Sequence, residues 1–439
     1  MKKEVIVIGA GLAGVEASYL LANLGVKVKL YEMRPKKNSP AHQTDLFAEL
    51  VCSNSLRSNS EENAAGILKR EMQLFNSLVM ESALANIIES GNNLSVDRIG
   101  FSKYITEKIS AHPLIEIIRE EVIDPDFSKP TIIATGPLTS DALSIKIKEF
   151  FGADDFFFFD AAAPIVDKSS INMERAYFKS RYDKGEALYL NCPMNKAEYE
   201  GFYQALVGAE IKELRDFEKN VFEGCMPVEV MAKRGPDTLR YGPLKPVGLT
   251  MPCGNKPYAV VQLRPDDAEK NLYNIVGFQT NLKFSEQLRV FRMIPGLENM
   301  KIARYGVMHK NTYINSPKLL NRFFQVNNVP EVFFAGQITG VEGYVESSAS
   351  GLAASLNMYR FLEKKELIDF SRQTMIGSLA NYISNPTISN FQPMNINLSI
   401  VDDLSGNYNK STKRKLICER ALLKLSEILK DTELTYFSK

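Results

Sequence analysis

Glu4 is followed by four apolar residues, Val5, Ile6, Val7 and Ile8, and then by glycines. This short β-branched run predicts a buried strand. The stretch VEASYLLANLG spaces its apolar residues as a helix does, and VKVKLYEM alternates as a strand does. The chain therefore predicts a β-α-β unit at its start. From Asn63 to Ser90 the apolar positions Ile67, Leu68, Met72, Leu74, Phe75, Leu78, Val79 and Leu84 predict one or two helices. SVDRIGFSKYITEKISAHP predicts a short loop and a helix ending near Pro113. PTIIATGPL predicts a buried strand that stops at a glycine and returns to the first sheet.

From Phe150 to about Gln325 the pattern changes to aromatics, prolines and short strand-like runs such as YAVVQLR and LYNIVGF. Within it, FFFFDAAAPIV predicts a core strand and a turn. EVFFAGQITGVEGYVESSASGLAASLNMYRFL then repeats the opening order of strand, glycine loop and helix, the helix running from Ser347. The expected organisation is an α/β, Rossmann-like domain split by an insertion. Its parts are residues 1–150, an inserted α+β domain at 151–325, and residues 326–439 with C-terminal helices. A basic amphipathic helix closes the chain from Asn407.

With 439 residues, 45% of them hydrophobic, the chain is long enough for two or three globular domains. A net charge of +1 supplies no whole-protein field toward nucleic acid or membrane, so a polyanion must be met by a local patch. No stretch nears the roughly 20 apolar residues of a membrane span. Cys52, Cys192, Cys225, Cys253 and Cys418 are odd in number and match no CxxC or Cys/His ligand spacing. They predict no disulfide framework and no metal site, and a reducing cytoplasm is the natural setting.

Gly9, Gly11 and Gly14 form G-x-G-x-x-G between a strand and a helix, and Glu32 closes the next strand. Glycines permit the turn and a close backbone approach, the helix N-terminus faces a pyrophosphate, and the acid meets a ribose hydroxyl. The fingerprint predicts a dinucleotide without distinguishing FAD from NAD. Gly336, Gly340 and Gly343 form a second glycine loop after the late strand; singly it reads equally as an ordinary turn.

Two cysteines stand in settings that suggest reactivity. Cys52 lies in LVCSNSLRSN, among serines and asparagines, with Arg57 as the cation expected to favour its thiolate. Cys225 lies in EGCMPVEVMAKRG, upstream of Lys233, Arg234, Arg240 and Lys245. An isolated cysteine is more often a small buried hydrophobe, which is the reading for Cys192, Cys253 and Cys418. His42, His112 and His309 are too scattered for a metal or triad, and no GxSxG or HExxH occurs. The basic tail NKSTKRKLICER reads as a solvated helix face or as a phosphate contact.

These words together resemble the folate- and FAD-dependent RNA (uracil-5-)-methyltransferase family. The likeness rests on GAGLAGVEASYLLANLGVKVKLYEMRP, LVCSNSLRSN, VDRIGFSKYITEKI, TIIATGPLTS, KSRYDKGEALYLNCPM, EGCMPVEVMAKRG, GPLKPVGL and FFAGQITGVEGYVESSASGLAA, and covers Glu4 to about Asn397. It implies a glutathione-reductase-like FAD-binding fold with one FAD touching both ends of the chain, at Gly9, Ala10, Gly11, Leu12, Ala13, Gly14, Glu32, Arg34, Gly136, Gly336, Gln337 and Gly343. It also implies methylenetetrahydrofolate as carbon donor, NAD(P)H as reductant, and Cys225 and Cys52 as the two catalytic thiols, Cys225 adding to uracil C6. The implied product is 5-methyluridine in the T-loop of tRNA, with a uridine of large-subunit ribosomal RNA as the alternative target. Gln43, Asn281, Phe284 and Asn385 stand where the family carries histidine or tryptophan, and NINLSI departs from the family's phenylalanine-glycine wording. The rival readings are the FAD enzyme of wobble-uridine modification, a longer chain, and a generic flavin oxidoreductase.

Overall fold

The computed structural model describes residues 3–39, 41–152, 156–161, 163–183, 186–212, 226–267, 269–306, 308–388, 391–406 and 408–431. Its first sheet has six strands in the spatial order 325–326, 329–334, 131–133, 4–8, 27–31 and 115–118. The last five of these run parallel, and 325–326 pairs antiparallel with 329–334. Parallel strands are covered on both faces and so read as unbroken apolar runs. Val5, Val7, Val28, Leu30, Ile132, Ile133, Phe333 and Phe334 are buried accordingly. Burying each such side chain contributes about 1.5–3 kcal/mol. The helices Leu12–Asn23 and Tyr344–Leu362 pack together beside this sheet. Gly351 allows their backbones to meet, because a Cβ there would lie 2.3 Å from Ala13 O.

The second sheet has the order 177–178, 190–194, 259–265, 272–275, 165–167 and 302–304, every neighbouring pair antiparallel. It carries its own core of Val166, Leu190, Val261, Leu263, Tyr273 and Phe291. Strands 156–161 and 308–313 pair antiparallel with each other. Thr312 N donates to Pro137 O at 2.7 Å, which ties this ribbon to the loop after strand 131–133. A three-stranded sheet of 55–58, 93–96 and 87–88 stands after the Cys52 loop.

The α/β reading with an antiparallel insertion holds. The segment Asn63–Ser90 makes two helices, Ala64–Leu74 and Leu78–Ala85, and Ser77 caps the second by accepting from Met80 N. The helix expected from Ser347 starts three residues earlier, at Tyr344, because Gly343 is already its N-cap. The closing helix Lys410–Asp431 buries Ile417, Cys418, Ala421 and Leu425 along one face and packs on helix Ala64–Leu74.

Candidate cofactor and active site

The carboxyl ends of three neighbouring parallel strands, 4–8, 131–133 and 329–334, each run into a glycine loop. Ala134 N donates to Ile8 O at 2.8 Å and Ala335 N to Ile133 O at 2.9 Å, so the loops sit side by side. Gly9 has φ +100°, and a Cβ there would lie 2.6 Å from Ala134 O. Gly14 is under the same constraint, since its Cβ would lie 1.8 Å from Gly9 O. Gly11 differs: it is the N-cap of helix Leu12–Asn23, offers no side-chain cap, and a Cβ there would meet nothing within 4 Å. That open space before unsatisfied N–H groups, in the first turn begun by Leu12 and Ala13, fits a pyrophosphate.

Glu32 accepts from Ala10 N at 3.2 Å, Arg34 N at 3.1 Å and Arg34 Nε at 2.9 Å. Burial works to raise this carboxyl, but the Arg34 side chain and the two backbone donors outweigh it and hold Glu32 below the usual range. Arg34 is itself buried and also donates to Thr44 O at 3.0 Å and Glu49 Oε2 at 3.3 Å. Gly9, Gly11, Glu32, Arg34, Thr135 and Thr139 line one cleft. The cleft fits the nucleotide end of a dinucleotide, with a charged acceptor at its floor. Gly136 ends the middle loop with open space beside it.

The third loop holds Gly336, whose N–H donates to Ser350 Oγ at 2.7 Å, and Gln337, whose Nε2 donates to Glu342 Oε1 at 2.6 Å. Gly343 then presents the N-terminus of the 19-residue helix Tyr344–Leu362, again without a side-chain cap. The open helix N-terminus at Gly11 and three glycine loops on adjacent strands suit an extended cofactor better than a single phosphate.

Cys52 is brought to this third loop by Tyr344. The phenol oxygen accepts from Cys52 N at 2.7 Å and Ser53 N at 3.1 Å. Burial, and then the neighbouring Cys52 thiol, push the Tyr344 hydroxyl well above the ordinary tyrosine range, so it stays protonated. Arg98 holds the other side of the loop through Leu50 O at 2.5 Å and Cys52 O at 3.4 Å, and its Nε pairs with Asp266 at 2.9 Å. Burial opposes the charge on Arg98, but Asp266, Tyr344 and Cys52 overcome it and keep the guanidinium firmly protonated. Arg264 donates to Ser53 Oγ at 2.7 Å, and Asn54 Nδ2 donates to Val96 O and Pro265 O at 3.2 and 3.1 Å. The half-buried thiol therefore sits where the glycine loop, the loop 50–54 and the second sheet meet.

Arg57 does not play the expected part. It donates to the buried Glu346 carboxylate at 2.5 Å, and the cations bonded to the Cys52 loop are Arg98 and Arg264. Cys225 lies outside the described residues. Cys192 and Cys418 are buried, as expected; burial pushes the Cys418 thiol up to about 11 and the Cys192 thiol higher still. Cys253 is exposed, so it fills no core. Among the described residues no three His, Cys, Asp or Glu side chains form a metal site, and no helix is long and apolar enough to cross a membrane.

The family model described as glucose inhibited division protein A matches residues 4–366. The chain belongs to this family. Within it, the protein of Acholeplasma laidlawii named methylenetetrahydrofolate--tRNA-(uracil-5-)-methyltransferase TrmFO is 58% identical over 423 residues, covering 96% of this chain and 98% of the relative. The protein of the same name from Listeria monocytogenes is 56% identical over 435 residues, covering 98% and 100%. A solved structure of Aquifex aeolicus GidA shares the fold at TM-score 0.70 and 17% identity, over 98% of this chain and 76% of that longer one. The shared fold includes the parallel sheet that sets the early and late glycine loops side by side. Tyr344, Arg98, Arg264 and Asp266 are the residues that sequence reasoning missed. Arg98, Tyr344 and Arg264 lie inside words already singled out, VDRIGFSKYITEKI, FFAGQITGVEGYVESSASGLAA and YAVVQLR, and Asp266 does not.

Proposed function

We propose that the chain methylates C5 of a uridine in tRNA, taking the carbon from methylenetetrahydrofolate. One observation carries this beyond the names of its relatives: Cys52 is latched by Tyr344 to the helix N-terminus of the third glycine loop. The thiol thereby stands beside the cofactor cleft. Glu32 and the Gly9–Gly14 turn hold the nucleotide end of FAD, and Gly136, Gly336, Gln337 and Gly343 hold the rest. When bound, FAD supplies, at the expense of NAD(P)H, the hydride that converts a one-carbon unit at the formaldehyde level into a methyl group.

The chain's own residues perform the acid–base and nucleophilic work. The Cys225 thiolate adds to uracil C6, and the displaced electron pair makes C5 nucleophilic toward the folate-borne methylene carbon. Loss of the C5 proton, with Cys52 as the base, expels the carrier and leaves an exocyclic methylene. Hydride addition to that carbon and departure of Cys225 from C6 complete the product. Arg98, bonded to the Cys52 carbonyl, is the cation placed to favour the thiolate that must take the proton. On this reading residues 1–150 and 326–439 hold the cofactor, residues 151–325 present the RNA, and the protein works in the cytoplasm.

The test uses purified protein, its visible spectrum, and transcripts of tRNA and large-subunit ribosomal RNA with labelled methylenetetrahydrofolate and NADPH. The expected result is a yellow protein that labels tRNA from folate and not from S-adenosylmethionine. Labelling of ribosomal RNA alone moves the target; a protein that cannot be reconstituted with FAD removes the scheme. Cys225→Ala is expected to abolish the covalent RNA adduct on denaturing gels, and an adduct surviving in that variant refutes the assignment.

A further inference from the structure

Aromatic side chains are exposed on and beside the antiparallel sheet. Phe178, Tyr182 and Tyr241 are 41, 60 and 82% exposed. The turn that holds Tyr182 touches the connection that follows Tyr241. Tyr182 N donates to Gly248 O at 2.8 Å, Arg181 Nη1 donates to Val247 O at 2.7 Å, and a Cβ on Gly248 would lie 3.0 Å from the Tyr182 ring. Cations are interleaved with the rings: Lys245 and Lys256 are exposed on the same connection, and Arg181 sits beside Tyr182.

One strand joins this patch to the Cys52 loop. Gln262 Oε1 accepts from Arg181 Nε and Nη2 at 3.1 and 2.8 Å, and two residues further on Arg264 donates to Ser53 Oγ. Residues two apart on a strand share a face and stand about 7 Å apart. The aromatic patch and the candidate active site therefore border the same face of strand Ala259–Pro265.

We infer that Phe178, Tyr182 and Tyr241 form a stacking platform for unpaired bases of the substrate RNA, with Lys245 and Lys256 meeting its phosphates. The inference rests on the RNA-methylation reading above and deepens it. A thiolate reaches C6 only from above the plane of the uracil ring, so the target base must leave its stack. Its neighbours then lose stacking partners, and exposed aromatic rings replace them whatever their sequence, because every base has a π-face. The lysines select the occupant: phosphates need cations between the rings, and an apolar protein surface does not.

The experiment measures binding of the transcript that the wild-type protein methylates, across a range of salt, beside NADPH reduction of the bound flavin without RNA. Tyr241→Ala is expected to raise Kd about tenfold with an unchanged slope of log Kd against log salt. Tyr241→Phe is expected to bind as wild type, and Lys245→Ala to reduce the slope by about 1. Flavin reduction is expected to stay the same in all three. Wild-type affinity in both Tyr241→Ala and Tyr182→Ala overturns the platform and leaves the methylation reading standing. A wild-type protein that methylates neither tRNA nor ribosomal RNA overturns both.

Discussion

Two buried carboxylates show how single residues set the protein's response to pH. Glu71 accepts from Met375 N at 2.7 Å and Ile376 N at 2.9 Å, the first N–H groups of helix Met375–Ile383. Glu16 accepts from Leu78 N and Val79 N at 3.2 and 2.9 Å at the start of helix Leu78–Ala85. Burial pushes Glu71 up to about 8 and Glu16 up to about 7, against the donors that pull them down. Each folded-state value lies above the unfolded one near 4.5, so the folded protein binds more protons between them. The stability that these two carboxyls contribute is therefore full below pH 4.5 and is lost as pH rises through 7 and then 8. Glu71→Gln is expected to remove a one-proton slope of about 1.4 kcal/mol per pH unit from urea unfolding over that window, whatever its constant offset. An unchanged slope in the variant refutes this account.

At the scale of elements, the three glycines of the first turn have two different jobs. Gly9 and Gly14 are where backbone meets backbone, so a methyl group at Gly14 forces strand and helix apart. Gly11 faces open space. Gly14→Ala is expected to lower the urea midpoint of the apoprotein by an amount equivalent to about 1–3 kcal/mol and to abolish flavin binding. Gly11→Ala is expected to leave the apoprotein midpoint within experimental error and to weaken flavin binding alone, as titrated by flavin fluorescence. Equal apoprotein midpoints for the two variants contradict this division. The order of strand, glycine loop and helix was legible in the sequence because each piece is local: a β-branched run, a spacing of glycines and a helical period. The start of the second helix was misplaced by three residues because Tyr344, Val345 and Glu346 carry no start signal of their own; the N-cap is Gly343.

At the scale of the whole molecule, what the sequence concealed is what lies far apart in the chain. Cys52 stood out for its polar neighbours, and Arg57 was the nearest cation in sequence. Folding instead turns Arg57 toward Glu346 and brings Arg98, Arg264 and Tyr344 to the Cys52 loop, from 46, 211 and 292 positions away. No local period encodes such contacts. The parallel sheet was legible as a return of the late strand 329–334 to the early ones, whereas the face shared by Gln262 and Arg264 was not, since it depends on the pairing of strands 190–194 and 259–265.

That late strand also fixes when the protein becomes itself during synthesis. The strand 131–133 lies between 4–8 and 329–334, so the third glycine loop is missing from the sheet until the last of these leaves the ribosome. At about 5–20 residues per second, the gap between Ile8 and Phe334 takes roughly 15–60 s to translate. Through that interval the first half of the chain carries an uncovered strand edge and a thiol loop without its Tyr344 latch. A chain ended after residue 325 is expected to be colourless and prone to associate through that edge, measured by absorbance and light scattering after release. A soluble, yellow fragment would show that the early strands complete the cleft without the late one. Flavin supplied during translation is thus expected to bind only once strand 329–334 has emerged, and until then the open edge is what needs protection.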